Sequence, residues 1–390
     1  MNRSIIVLLL CGVIFAAAQH RQRTSDTIDL GGFQDSAHHW YDINDEVPKL
    51  FPPVKGQPKY GKQEVAAIAD NILLYQRANG GWPKNYDMQA VLTDEQKRIL
   101  IATKKDISLT TFDNGATHSQ IAYLAKAWKK TKDKRYSDAA LQGLDFVLSA
   151  QYPNGGFPQF YPDTSGYRKY ITFNDGAMGG VMEVLRDVAT SQKQYAFVDD
   201  ARRKKCADAL QHGIECILRC QISVEGNLTA WCQQHDHRTF APQNARTFEP
   251  KAICSQESAD LVLFLMSLDH PDMAVRRAVN SAVDWFRRSA LTGIRMETIE
   301  ADSVDYKYHS THTDRVVVKD PSAPRIWSRM YEIATNVPLF CNRTGVVVYS
   351  LAEVDRERRT GYKWYGYEPE TVLQRYDDWS RRWNSDATPQ

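Results

Sequence analysis

The chain has 390 residues, 43% of them hydrophobic, enough to bury a large core in one domain or two. Its formal charge is only +2 at pH 7. That balance excludes a global attraction for nucleic acid, so an acidic partner must be held by local clusters.

Residues 1–18 read as a signal peptide. Arg3 precedes an apolar run from Ile5 to Phe15, and Ala16-Ala17-Ala18 offers a cleavage site. The run is short for a bilayer span. The expectation is a secreted protein, extracellular or periplasmic, with no membrane contact after cleavage. Cys11 lies in this run, but Leu9-Leu10 before it lack the small residue of a lipid-attachment site. Residues 19–60 are polar and read as an N-terminal arm or linker rather than a helix. Residues 61–390 read as one domain.

Helical spacing then dominates. Apolar residues recur at that period in Glu64 to Arg77, Ala116 to Lys129, Ala139 to Ala150, Ala177 to Ala189, Ala207 to Arg219, Ser258 to Leu268 and Met273 to Ser289. No series of alternating strands stands out. One repeat is visible: Gln76-Arg77-Ala78-Asn79-Gly80-Gly81-Trp82-Pro83-Lys84 returns as Gln151-Tyr152-Pro153-Asn154-Gly155-Gly156-Phe157-Pro158-Gln159. Each copy ends a helix, where Gly suits a left-handed cap. Repeated helical hairpins that each bury one face stack or close into a ring. The fold expected is mainly α: an (α/α) toroid, an incomplete α/α barrel, with long connecting loops.

Two segments resemble each other before two helices: Thr111-Phe112-Asp113-Asn114-Gly115-Ala116 and Thr172-Phe173-Asn174-Asp175-Gly176-Ala177. Asp113 or Asn114 would make a good helix cap. The same hard oxygens suit calcium. The stretch from Thr229 to Glu257 has little periodicity but collects Trp231, Gln233, Gln234, His235, Asp236, Arg246, Glu249 and Glu257, the composition of a site rather than a scaffold. Arg246, Arg315, Arg325 and Arg329 form a basic set. Guanidinium pairs carboxylates in a bidentate fork, which points to an acidic ligand, although each Arg taken singly reads as a surface charge or a partner of a nearby Asp or Glu. Six cysteines follow the leader: Cys206, Cys216, Cys220, Cys232, Cys254 and Cys341. In an exported chain they favour one or two disulfides over a metal site. Asn227 and Asn342 open glycosylation sequons.

The blocks TFDNGATHSQIAYLAKAW, PNGGFPQFYP, ITFNDGAM, TAWCQQHD, ARTFEP, RIWSRMYEIATNVPLF and GVVVYSLAEVDRERRTGYKWYG, in this order, resemble polysaccharide lyase family 10, the pectate lyases, over about residues 63–372. The resemblance implies an (α/α) toroid that cleaves polygalacturonate with calcium, and makes residues 61–390 a catalytic domain. It implies that Asp113, Asn114 and Asp175 hold Ca²⁺, and that Arg246 is the Brønsted base. It implies that Arg315 and Arg329 hold substrate carboxylates. Asp113 also reaches substrate through the cation, and His235 and Asp236, from the W-C-x-x-H-D block, are placed with the substrate-binding residues. Phe112 and Cys254 depart from the family's usual residues, and neither removes a catalytic group. An Arg base needs burial and neighbouring positive charge to lower its pKa, so activity favoured by alkali is expected. The partners implied are pectate or pectin, with no nucleic acid, and the chain is expected to be a monomer. The rival readings are an inverting hydrolase using Asp113, Asp175 and Asp236, and a pectin-binding protein without activity. A terpene-cyclase-like protein is disfavoured because no D-x-D-D or D-D-x-x-D motif is present.

Overall fold

The computed structural model describes residues 27–384 apart from residue 45. The signal peptide lies outside the described residues. Among those described, no helix is long and apolar enough to cross a membrane.

The molecule is mainly helical. Its helices are α1 (Gln34–Asp42), α2 (Val65–Tyr75), α3 (Asp94–Ala102), α4 (His118–Thr131), α5 (Lys134–Ala150), α6 (Ala177–Ala189), α7 (Asp200–Cys220), α8 (Ser255–Met266), α9 (Met273–Ser289), α10 (Arg356–Gly361) and α11 (Glu368–Trp383). All seven expected helices form. Asp133, Asp199 and Asp272 cap α5, α7 and α9 by accepting from backbone N–H groups of the first turn. Contacts join α2, α4, α6, α8 and α11 into one row, and α5, α7 and α9 pack against it as a second. The apolar faces of both rows meet in one core that includes Ile121, Leu144, Val181, Ile217, Val262 and Phe286. A smaller core, with Phe248, Met330, Phe340 and Trp364, lies under the C-terminal loops.

The repeat has a bonding reason. Gln76 Nε2 donates to Gly80 O and to Ala139 O, and Gln151 Nε2 donates to Gly155 O and to Ala209 O. Each Gln closes its own turn and ties it to a helix of the second row. A third copy carries the same bonds without the sequence: Gln221 Nε2 donates to Thr229 O and Ala278 O. There a short hairpin, Ser223–Val224 with Asn227–Leu228, replaces the Asn-Gly-Gly turn. Trp82, Trp231 and Trp327 each bury an indole whose N–H meets a helix carbonyl, of Ile72, Ile217 and Phe286.

Four expectations are corrected. The arm contains α1, and its Ile28, Leu30, Phe33 and Trp40 are buried in the main core. A long hairpin exists, β1 (Ile294–Asp305) paired with β2 (Ser310–Lys319). The six cysteines are free and buried; Cys232 Sγ donates to Gln243 O and Cys254 Sγ to Ala252 O. Asp113 and Asn114 cap no helix; they sit in a 3-10 turn, and Thr117 occupies the cap position of α4. Of the two sequons, Asn227 is exposed while Asn342 is buried, with its amide bonded to Glu353 O.

Candidate active site

The two similar segments fold alike. Each forms a 3-10 turn, Asp113–Gly115 and Asn174–Gly176, and the two turns touch. In each, the middle residue is left-handed, Asn114 at φ 51° and Asp175 at φ 50°. Asn and Asp tolerate that region better than other residues with side chains. The turns therefore present an acid and an amide in swapped order. Thr111 fixes the first by donating to Gln159 O and accepting from Asp113 N. The second hangs from Gln233 O, which accepts from Phe173 N and Asn174 N.

Behind the turns lies a buried polar network. Glu257 accepts from Arg329 Nε at 3.1 Å and from Gln233 Nε2 at 3.0 Å. Arg329 Nη2 also reaches Asn174 Oδ1 at 3.0 Å and Asp175 Oδ1 at 3.4 Å. Its guanidinium lies over the Tyr362 ring. Tyr362 OH donates to Glu249, and Glu249 takes Arg246 in a two-pronged pair, Nε to Oε2 at 2.8 Å. Lys84 Nζ sits 2.6 Å from Asp113 Oδ2, with both side chains buried. Asp113 Oδ1 and Asn114 Nδ2 are buried with no protein partner.

These groups open onto a cleft of about 1080 Å³ lined by Asp113, Asn114, Asp175, Arg246, Arg315 and Arg329, with Lys84 and His118 beside them. Six of the eight expected site residues thus share one wall-to-wall space. His235 and Asp236 do not line it. His235 is fully buried, accepting from Cys232 N and donating to Phe240 O, and Asp236 ties its loop through Arg238 N and Thr239 N. Both shape the loop behind the cleft. Arg325 pairs with Glu370 and lies outside the cleft lining.

Electrostatics separates the two aspartates. Burial alone would raise the Asp113 pKa, but the Lys84 ammonium, with help from Arg246, holds it below the usual range. Burial pushes Asp175 up to about 7, with Asp113 and Asp35 adding to the rise and Arg329 opposing it. Burial also lowers His118 to about 4 and His235 to about 4, so both are neutral. Burial lowers Arg315, whose guanidinium bonds Tyr362 O and has no carboxylate partner among the described residues. Arg246 moves the other way. Burial would lower its pKa, but the Glu249 carboxylate overrides this and holds it well above the ordinary value. The environment expected for an arginine base is therefore not the one found around Arg246.

Lys84, His118, Asn174 and Tyr362 were not expected in the site. Lys84 ends the first copy of the repeat where the second ends in Gln159, a difference visible in the sequence. For His118 the signal is Gly180, since a Cβ there would lie 2.2 Å from the imidazole.

A helical scaffold with a cleft that brings carboxylates together with the unpaired Arg315 guanidinium defines a protein suited to an acidic ligand. The comparisons give that class a family. The model of the pectic acid lyases matches residues 76–373. A mutant of the family 10 polysaccharide lyase from Cellvibrio cellulosa, in complex with trigalaturonic acid, superposes with a TM-score of 0.70. It shares 30% identity and covers 80% of this chain and 92% of its own. The family 10 polysaccharide lyase from the same organism gives 0.70 at 27% identity, covering 90% and 98%. No curated protein matches the chain. The chain belongs to the pectic acid lyase family, and it is an enzyme of that kind, a pectate lyase.

Proposed function

We propose that this chain is a secreted, monomeric lyase built as an (α/α) toroid, and that it cleaves polygalacturonate by calcium-assisted β-elimination. The observation that carries the reading is the meeting, in one cleft, of the Asp113 and Asp175 turns with Arg246, Arg315 and Arg329. A solved relative of the same family carries trigalaturonic acid, which supports the substrate class. The two helical rows support the toroid.

The donor set fits calcium in part. Asp113 Oδ1 is a buried oxygen with no protein partner, and Asn114 and Asp175 add further hard oxygens. Among the described residues no group of three or more His, Cys, Asp or Glu is arranged to hold a metal. Calcium takes about six to eight oxygens, so these residues would supply only part of its shell. When bound, the cation supplies positive charge that neutralises a substrate carboxylate.

The reaction removes the C5 proton of a galacturonate and expels the C4 glycosidic oxygen. That proton is weakly acidic, so charge developing on the carboxylate must be stabilised by groups already in place. Arg315 is the guanidinium open to a substrate carboxylate. Arg329 is saturated by Glu257, Asn174 and Asp175, so it positions the second turn and adds charge. Once substrate has drawn Arg246 from Glu249, its guanidinium loses a proton to solvent hydroxide, and the neutral side chain then takes the C5 proton while the C4 oxygen leaves and is protonated from solvent. The test is ultraviolet absorbance of unsaturated product from polygalacturonate at alkaline pH, with calcium and then with chelator. A rise stopped by chelator is expected. New reducing ends without absorbance would overturn the elimination, and a rise indifferent to chelator would overturn the cation.

A further inference from the structure

Helix α1, at residues 34–42, lies ahead of the span that the family model matches, which begins at residue 76. Asp35, His38, His39 and Asp42 all line the cleft. Their spacing puts them on one face of the helix. The opposite face is anchored. Trp40 is buried and donates to Phe51 O, Ser36 exchanges bonds with the Tyr86 backbone, and Tyr41 OH donates to Asp87. The turn preceding α1 is pressed on the Asp113 turn: Gly32 O accepts from Ser119 Oγ, and a Cβ on Gly115 would lie 2.0 Å from Gly32 O. Beyond α1, Asn44 N donates to Tyr308 O at the tip of the β1–β2 hairpin, and Glu46 accepts from Tyr308 OH and faces Arg343. So a rigid helix abuts the proposed cation turn on one side, and the chain after it meets the hairpin tip on the other.

We infer that α1 terminates the cleft at the Asp113 end, with Asp35 and Asp42 as specificity-determining residues that stop an anionic chain there. This rests on the reading of the substrate as polygalacturonate. Such a chain carries one carboxylate per sugar. The basic side of the cleft offers Arg315 to those carboxylates, while Arg343, Arg358 and Arg359 beside it are paired with Glu357 and Asp314. Asp35 and Asp42 face the next ones with like charge, each with a histidine of the same helix beside it, His39 at 3.9 Å and His38 at 3.0 Å, and both aspartates are half exposed, at 52% and 64%. The enzyme therefore engages a short terminal segment and releases short products.

Binding without turnover tests this, using oligogalacturonates of increasing length measured by calorimetry on the full chain. Affinity in the parent should stop rising at a short length. In the D35N/D42N variant, whose sites are exposed and leave the core intact, affinity for the longest ligand should rise about fivefold, and added salt should shrink the difference. A parent whose affinity keeps climbing with length, or a variant with the parent's plateau, would overturn the inference. Viscosity at equal unsaturated product gives a second reading: the parent should thin polygalacturonate slowly and D35N/D42N faster. Absence of unsaturated product would count against the lyase chemistry alone, since the length dependence of binding is read without turnover.

Discussion

At the scale of single residues, the site is a set of charges whose partners decide what each can do. Arg246 is the sharpest case. Glu249 holds its proton in place, so replacing that carboxylate should free it. Glu249→Gln should move the alkaline rise of activity about one to three units to lower pH, while Arg246→Ala should abolish turnover and leave substrate binding nearly unchanged. A Glu249→Gln profile that does not move would remove Arg246 as the base. Lys84 and Asp113 form a buried pair, and breaking it strands a carboxylate. Lys84→Met should cost about 3–5 kcal/mol in denaturant unfolding. The Lys84→Met, Asp113→Asn double variant should recover most of that, because no buried charge is left over. Asp175 reports through pH. Its folded pKa lies above that of the unfolded chain, so the folded state binds the extra proton. That stabilisation is fully present below pH ~4 and is lost as pH rises through about 7. In chelator, Asp175→Asn should match the parent in acid and exceed it above neutrality by about 2 kcal/mol. A variant less stable than the parent in alkali would refute the burial account.

At the scale of elements, the repeat turns are where backbone geometry is tightest. Gly155 has φ 89°, and a Cβ there would lie 2.0 Å from His212 O, a backbone atom that cannot rotate away. Gly56 is also left-handed, at φ 69°, with open space around it. Gly155→Ala should therefore cost about 3 kcal/mol or more, and Gly56→Ala about 1 kcal/mol, in thermal or denaturant unfolding. Equal costs would mean that conformational strain alone, and not the close approach, selects glycine. These turns were legible because their Gly and Gln residues are needed by the bonds they make. The helices were legible because one face of each is buried, and α6 and α9 begin and end where the apolar spacing does. The third turn was not legible. Gln221 keeps its two bonds while the intervening residues form a hairpin, so only the geometry repeats. Nor was β1–β2. No residue of either strand is fully buried, so no alternation of apolar and polar residues marks them. In α1 only Ser36 and Trp40 are buried. Its docking depends on Phe51 and Tyr86, distant in sequence, and no local pattern encodes that.

At the scale of the whole molecule, the cleft lies between two hydrophobic cores and is stitched by polar groups from both. Glu257 and Gln233 belong to segments of the main core, while Tyr362 and the neighbours of Glu249 belong to the smaller one. A ligand that spans Asp113 and Asp175 on one side and Arg315 on the other therefore ties two separately packed regions together. Binding to the folded state alone raises stability by about 2.7 kcal/mol at a hundredfold excess over Kd. If the two aspartate turns hold calcium as proposed, they supply only part of its shell, so calcium alone should bind weakly and raise Tm little. A short oligogalacturonate alone should engage Arg315 and raise it modestly. Together each completes the other's contacts, and the joint rise should exceed the sum of the two. Asp175→Asn should keep the oligogalacturonate shift and lose the excess. Thermal unfolding with each ligand, with both, and with chelator reads this directly. Shifts that merely add would mean that cation and sugar acid occupy independent places, and that the two aspartate turns face one another for packing rather than for a shared ion.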